Sequence, residues 1–265
     1  MDTERHNTNK RVTRWVAAGA VGLVIATGAG VAGGVAAADR GAATAAGDTS
    51  STALTAAVAA ARNGTVTVAD LVAAVTPSVV TVAAPVNGGT AEGSGVVVRT
   101  DGLVITNNHV VSGAAGTIRV AFSDGRVAPA TVVGTDTTHD LALLKVSLTG
   151  LTPLSLGDST SLQVGDEVFA VGNPLGLGTS VSEGIVSALN RSLSATRDQD
   201  GQSGLIQTDA AVNEGNSGGA LINDAGQLIG ITNAIATSGT SSGNLGVAFA
   251  IPAVQVRAFL DQAAA

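Results

Sequence analysis

The chain has 265 residues, of which 45% are hydrophobic and only 2% aromatic. It has no cysteine, which excludes disulfide bonds and thiolate metal sites. The three histidines (His6, His109 and His139) are too few and too scattered for a zinc site, and no other cofactor is indicated. Residues 39–265 carry 9 basic and 18 acidic groups, a net charge of −9. An acidic domain of this kind excludes nucleic acid as an expected partner.

The first 38 residues predict a membrane or export segment. Residues 1–14 are polar, end with three basic residues and are expected to be cytoplasmic. Residues 15–38 are uncharged and long enough to span a bilayer, for which about 20 residues suffice. Ala36, Ala37 and Ala38 also fit a signal-peptide cleavage site. Two interpretations stay open: a single-pass membrane anchor through residues 15–38, or a secreted or periplasmic protein after cleavage near Ala38. Both put the bulk of the chain outside the cytoplasm.

The rest of the chain predicts a flexible linker followed by an all-β domain. Residues 39–65 are rich in Ala, Thr and Gly, a composition typical of a tether. A helix is expected at Val68–Val75, ending before Pro77. Short β-branched segments then alternate with turn signals, which is typical of hairpin-rich barrels. The predicted strands are Ser78–Ala84, Gly95–Arg99, Leu103–Thr106, Thr117–Phe122, Val127–Val133, Leu141–Val146, Glu167–Val171, Val181–Leu189, Gly204–Gln207, Ala220–Ile222, Gln227–Ile231 and Leu245–Ile251. They divide residues 66–265 into a first barrel at about 78–155, a second at about 156–251 and a final helix at 252–264.

The segment Gly215-Asn216-Ser217-Gly218-Gly219 is a candidate nucleophile turn. Glycine accepts the dihedral angles of a tight turn and lets a substrate backbone approach closely. By itself the segment also has a simpler explanation, an ordinary glycine-rich hairpin turn. Its interpretation changes in the presence of a base and an orienting carboxylate.

His109 and Asp140 supply those two groups in the order His, Asp, Ser. His109 follows a predicted strand and Asp140 immediately precedes one, where it is expected to be partly buried and partnered. Taken singly, each has a structural explanation: His109 as a structural or solvated histidine, and Asp140 as a strand-capping aspartate. Together with Ser217 they match a serine hydroxyl activated by imidazole, which a buried carboxylate orients. The backbone N–H groups of Gly215 and Ser217 could then bind the developing oxyanion.

Several blocks of sequence resemble the HtrA/Deg serine proteases, trypsin-like enzymes of bacterial envelopes and organelles. The resemblance runs from about Val66 to Leu260. It is carried by the blocks Gly93–Gly95, Thr106–Val110, Asp140–Lys145, Gly172–Gly176, Gln207–Asn213 and Gly215–Leu221. The family implies a chymotrypsin-like double six-stranded barrel, with His109 and Asp140 on the first barrel and Ser217 on the second.

The same resemblance implies substrate-binding residues and mobile loops. Ala211, Thr232, Asn233 and Ala234 are expected to line the primary pocket, and the backbone of residues 215–217, with Asn216 included, the oxyanion hole. No acidic residue lies among them, so we expect a small or medium aliphatic residue before the cleaved bond. The activation and specificity loops correspond to Gly172–Thr179, Arg191–Ser203, Asn213–Asn216 and Thr237–Asn244.

Two family features are missing from the sequence. The family commonly carries PDZ domains after the protease, whereas only six residues follow Phe259, so we expect none. It also commonly forms trimers through aromatic residues ahead of the protease domain, and residues 39–67 contain none, which leaves the oligomeric state open.

We expect an envelope serine endopeptidase acting on unfolded or damaged polypeptides. The alternatives are a catalytically silent, chaperone-like binding module and a signalling protease with one membrane substrate.

Overall fold

The computed structural model describes residues 67–174, 178–193, 201–213, 215–235 and 246–263. The predicted cytoplasmic segment, the membrane or signal segment and the linker therefore lie outside the described residues. Among the described residues, no helix is long and apolar enough to cross a membrane.

A capped helix leads into the first barrel. Helix α1 spans Val68–Val75 and is followed by a 3₁₀ turn at Thr76–Ser78. Thr67 and Asp70 form a capping box, in which the Asp70 N–H donates to the Thr67 hydroxyl at 3.2 Å and the Thr67 N–H donates to the Asp70 carboxylate at 2.9 Å. The box satisfies two donors that a helix start leaves unpaired. Leu71 and Val75 are buried and attach the helix to the domain.

Within the described ranges, twelve antiparallel strands form two closed barrels, which confirms the predicted double six-stranded fold. The first barrel consists of β1 (Val79–Val86), β2 (Gly89–Arg99), β3 (Leu103–Asn107), β4 (Ile118–Ala121), β5 (Val127–Asp136) and β6 (Leu141–Val146), with the one-turn helix α2 (Asn108–Val111) after β3. The second consists of β7 (Glu167–Gly172), β8 (Ser180–Leu193), β9 (Gln202–Thr208), β10 (Ala220–Asn223), β11 (Leu228–Ile235) and β12 (Ala248–Pro252). Helix α3 (Ala253–Ala263) follows.

Both barrels have the same topology. The strand order is β1-β2-β3-β6-β5-β4 in the first barrel and β7-β8-β9-β12-β11-β10 in the second. Each barrel encloses its own apolar cluster, built from Val, Ile, Leu and Ala with few aromatic rings. A third cluster contains buried residues from both barrels and from α1 and α3. The shared cluster is the apolar contact that joins the two halves.

Several strands extend beyond their predicted limits, and β2 and β8 do so furthest. Strand β2 begins at Gly89 and not at Gly95, and β8 continues past Leu189 to Leu193. The additional part of β8 is polar and mostly exposed, so no hydrophobic alternation marks it. The Arg191 guanidinium stabilises it by donating to the Gln207 side chain at 2.8 Å. Strands β8 and β9 therefore occupy both ends of the predicted loop Arg191–Ser203.

Candidate active site

His109 lies on α2, directly after the end of β3, and faces the turn between β5 and β6. Its ring Nδ1 is 2.7 Å from the Asp140 Oδ2, and its backbone N–H donates to the Asp140 Oδ1 at 2.9 Å. Both carboxylate oxygens thus contact the same residue. This arrangement places the ring and selects the tautomer with a proton on Nδ1, which leaves Nε2 as the basic nitrogen.

Asp140 is held in an uncommon backbone conformation. Its φ is 53°, in the left-handed region, which non-glycine residues seldom adopt. Its carbonyl accepts hydrogen bonds from the Asn107 side chain and from the Asn108 N–H, both at 3.0 Å. The residue is only 4% exposed. Contacts from the end of β3 therefore support a carboxylate that is desolvated and aimed at His109.

Ser217 lies in a turn with two glycines in the left-handed region. Gly215 has a φ of 89° and Gly218 a φ of 85°. A side chain at Gly218 would also collide with the Ser94 carbonyl and the Thr106 hydroxyl of the first barrel. The turn is therefore packed directly against the strands that lead to His109. The Ser217 hydroxyl donates to the Asn233 carbonyl at 3.0 Å.

Gly93 shows how close the two halves of the site lie. A Cβ built on Gly93 would be 2.7 Å from the Val110 side chain and 2.9 Å from the Ser217 carbonyl oxygen. Val110 follows His109 on α2. One glycine without a side chain thus separates the helix that carries the histidine from the turn that carries the serine.

The backbone of the turn leaves two N–H groups available. Among the described residues, nothing accepts a hydrogen bond from the N–H of Gly215 or of Ser217. The Asn216 N–H, also expected in the oxyanion hole, donates to the Asn213 carbonyl at 3.0 Å. In this conformation Gly215 and Ser217 are the two candidate oxyanion donors.

The residues expected to bind substrate differ in their surroundings. Ala211 is exposed, and its carbonyl accepts a hydrogen bond from the Ser182 hydroxyl at 2.7 Å. Thr232 and Asn233 are almost fully buried. The Asn233 side-chain amide donates to the buried Gln202 side chain. Ala234 continues β11, and its side chain lies outside what the structure describes.

Ser94 also belongs to the site, although no sequence motif predicts a role for it. Its hydroxyl donates to the Gly215 carbonyl at 2.7 Å, and its N–H donates to the Ser217 carbonyl at 2.8 Å. Residues 93–97 are all buried. A polar residue in such a run needs a hydrogen-bond partner. The sequence signal for Ser94 is therefore a single serine in a run of glycine and valine, residues 93–97, that lacks the alternation of a half-exposed strand.

Within the described ranges, no group of three or more His, Asp or Glu residues could hold a metal ion. The described residues of the site supply a basic ring nitrogen, an orienting carboxylate, a hydroxyl and two N–H groups that donate to no described residue.

Comparison with known proteins identifies the family. The profile described as trypsin-like peptidase domain matches residues 93–231, more than half of the chain. The chain belongs to the trypsin-like peptidase family. The matched segment of this trypsin-like peptidase domain includes His109, Asp140 and Ser217.

Named relatives of this peptidase domain are serine proteases, as the resemblance predicts. Serine protease PepD of Mycobacterium tuberculosis is 48% identical over 188 residues, which cover 64% of this chain and 40% of that protein. Periplasmic serine endoprotease DegP of Escherichia coli (strain K12) is 49% identical over 175 residues, covering 65% of this chain and 35% of that protein. The chain thus matches well under half the length of these relatives.

A solved structure shows the same fold. The HtrA-type protease AlgW with tripeptide superposes with a TM-score of 0.66 and 40% sequence identity, covering 74% of this chain and 62% of that chain. At this identity the likeness extends to the family as well as to the fold. The chymotrypsin-like double barrel is thereby supported by the strand topology and by an HtrA-type neighbour.

Proposed function

We propose that this chain is a serine endopeptidase of the cell envelope that cleaves unfolded or damaged polypeptides, with Ser217 as nucleophile, His109 as general base and Asp140 as the orienting carboxylate. The observation that carries the proposal is the paired His109–Asp140 contact at 2.7 Å, one glycine away from the turn of Ser217.

The contacts support a defined sequence of steps. The Ser217 hydroxyl rotates from the Asn233 carbonyl towards His109, which takes its proton as the oxygen attacks the peptide carbonyl. Asp140 stabilises the positively charged ring. The N–H groups of Gly215 and Ser217 bind the oxyanion. His109 then gives the proton to the leaving amine, and water hydrolyses the acyl-enzyme by the same route.

Strand β11 offers an edge for a polypeptide substrate. Its pairing with β10 ends at Ile231, opposite Ala220. Beyond Ile231, residues 233–235 have no strand partner on that side among the described residues, while Ala234 and Ile235 pair with β12 on the other. An extended peptide can add to such an edge through backbone hydrogen bonds. Exposed segments of unfolded proteins meet this requirement because their backbone groups are unpaired.

The test compares the wild type with Ser217→Ala, using β-casein as an unfolded substrate and a fluorophosphonate as the active-site label. We expect casein degradation and labelling in the wild type and neither in the variant. Labelling that is absent from the wild type would favour the silent binding module, and labelling that survives in Ser217→Ala would place the nucleophile elsewhere. A wild type that labels but leaves casein intact would favour the protease with one membrane substrate.

The same digests test specificity. With no acidic residue among Ala211, Thr232, Asn233 and Ala234, we propose cleavage after Val, Ala or Ile. Mass spectrometry of the casein fragments gives the cleaved bonds, and cuts after Arg or Lys would contradict this pocket.

The sequence and the relatives support a location outside the cytoplasm. DegP is named as periplasmic, which supports an extracytoplasmic peptidase domain. Anchoring through residues 15–38 and release by cleavage near Ala38 stay alternative predictions. Membrane fractionation together with the N-terminal sequence of the mature chain distinguishes them.

A further inference from the structure

Two consecutive carbonyls of the nucleophile turn are held by buried hydroxyls from opposite barrels. The Thr232 hydroxyl, on β11, donates to the Asn216 carbonyl at 2.6 Å. The Ser94 hydroxyl, on β2, donates to the preceding carbonyl, that of Gly215, at 2.7 Å. Thr232 is 1% exposed and Ser94 is fully buried, so water does not compete for either contact.

The Thr232 contact bears directly on an oxyanion donor. The carbonyl of Asn216 and the N–H of Ser217 belong to one planar trans peptide and point in opposite directions. A hydroxyl that holds the Asn216 carbonyl towards β11 therefore holds the Ser217 N–H on the opposite side of the peptide, away from β11. That N–H is one of the two groups that the turn leaves available for a substrate oxygen.

The other contact to the same carbonyl cannot replace Thr232. The Gly219 N–H also donates to the Asn216 carbonyl, at 2.9 Å. Gly219 belongs to the same turn, so this bond shapes the turn without setting its orientation relative to the barrel. Thr232 is anchored outside the turn, because it belongs to β11 and pairs with Ala250 of β12. Its backbone also exchanges hydrogen bonds with the turn at 2.8 Å (from Gly218) and 3.0 Å (to Gly219).

We propose that Thr232 is a positioning residue for the oxyanion hole. Its hydroxyl orients the peptide between Asn216 and Ser217 so that the Ser217 N–H faces the substrate. This role rests on the proposed peptidase function. It differs from the pocket-lining role expected from the sequence, because the hydroxyl is directed at the nucleophile turn and not at a substrate side chain.

The test compares Thr232→Val, which keeps the shape and removes the hydroxyl, with Thr232→Ser, which keeps the hydroxyl. A fluorogenic peptide copied from a casein cleavage site gives kcat and KM. A peptide aldehyde of the same sequence probes the oxyanion hole, since its hemiacetal oxygen occupies that position. Thermal unfolding followed by circular dichroism checks that each variant is folded.

We expect Thr232→Val to lower kcat by about 10- to 100-fold, less than the roughly 10²- to 10³-fold that follows removal of an oxyanion donor. KM should stay within about twofold, because substrate is bound before the oxyanion forms. The aldehyde should bind more weakly by a factor similar to the loss in kcat. Thr232→Ser should restore both properties.

Three results would overturn the inference while leaving the peptidase function intact: Thr232→Val with wild-type kcat and aldehyde affinity, a change confined to KM, or Thr232→Ser as impaired as Thr232→Val. A wild type that neither cleaves the peptide nor reacts with the fluorophosphonate would instead refute the peptidase function, and this inference with it.

Discussion

The turn before Asp140 contains a second histidine–aspartate pair. The Asp136 Oδ2 is 2.6 Å from the His139 Nδ1, and its Oδ1 accepts the N–H groups of Thr138 and His139 at 3.0 and 3.1 Å. Burial, the largest single influence, would raise the pKa of the Asp136 carboxyl, but the hydrogen bonds from His139 and Thr138 together hold that pKa below its ordinary 3.8. Asp136 therefore stabilises the turn that presents Asp140.

The pKa shift of Asp136 predicts how the variant Asp136→Asn depends on pH. Since the carboxyl is harder to protonate in the folded protein than in the unfolded chain, the charged form stabilises the fold above the unfolded pKa. This contribution is lost as the pH falls through the lower, folded pKa. Asp136→Asn should lower the free energy of unfolding by about 1–2 kcal/mol at pH 6, since charge-assisted hydrogen bonds become neutral ones. The deficit should shrink below pH 3.8.

Urea unfolding at pH 6 and at pH 3 measures this difference. Asp224→Asn is the control, because Asp224 lies exposed in the turn between β10 and β11 and accepts no hydrogen bond from the residues that the structure describes. A deficit equally large at both pH values, or none at pH 6, would show that the charge of Asp136 does not stabilise the turn.

Strand β2 carries the contact between the two parts of the site. Its residues 93–97 are buried without alternation, because one face packs inside the first barrel and the other meets the nucleophile turn. Gly93 lies between Val110 of α2 and the carbonyl of Ser217. Any side chain there would push the helix that bears His109 away from the turn that bears Ser217.

We expect Gly93→Ala to reduce casein degradation at least tenfold while the protein stays folded. The added methyl would lie 2.7 Å from Val110 and 2.9 Å from the Ser217 carbonyl, so one of them must move. Small displacements of reacting groups can cost about 100-fold in rate. Gly89→Ala on the same strand is the control, because a Cβ there has no neighbour within 4 Å. Equal activity of the two variants would contradict this account of β2.

The two barrels share the third apolar cluster, and helix α3 contacts both of them. The third apolar cluster joins residues from both barrels with Val256 and Phe259 of α3. Although α3 follows the last strand of the second barrel, it also packs against β5 and β6 of the first. The Phe259 ring is close to Gly134 of β5, where a Cβ would lie 3.5 Å away. We infer that neither barrel is stable without the other.

Phe259→Ala should therefore destabilise both barrels together. Phe259 is 6% exposed, and removing a buried aromatic ring costs about 3–5 kcal/mol. Calorimetry should show one transition at a lower temperature, with equal calorimetric and van't Hoff enthalpies. Val254→Ala is the control on the same helix, since Val254 is 47% exposed. Two separate transitions, with only the second barrel affected, would be the opposing result.

Local patterns were sufficient to predict the strands, the terminal helix and the double barrel. Alternating β-branched residues, turn glycines and Pro77, before which the first helix ends, act over a few residues, so each can be identified in one short window. The limits of β2 and β8 were wrong because their additional parts are mostly exposed and pair with β1 and β9 without a hydrophobic alternation. His109, Asp140 and Ser217 stand as predicted catalytic residues, supported by their arrangement.

The sequence alone pointed to the family and to the three residues of the proposed mechanism, because their types and order reflect the chemistry. It did not indicate that Ser94 and Thr232 would hold adjacent peptides of one turn. Ser94 is 121 residues from Gly215, and Thr232 is 16 residues from Asn216. Which hydroxyl meets which carbonyl depends on how the closed barrels pack. The direction of the Ser217 N–H is therefore set by a tertiary contact, since no local preference selects one orientation of a glycine-rich turn.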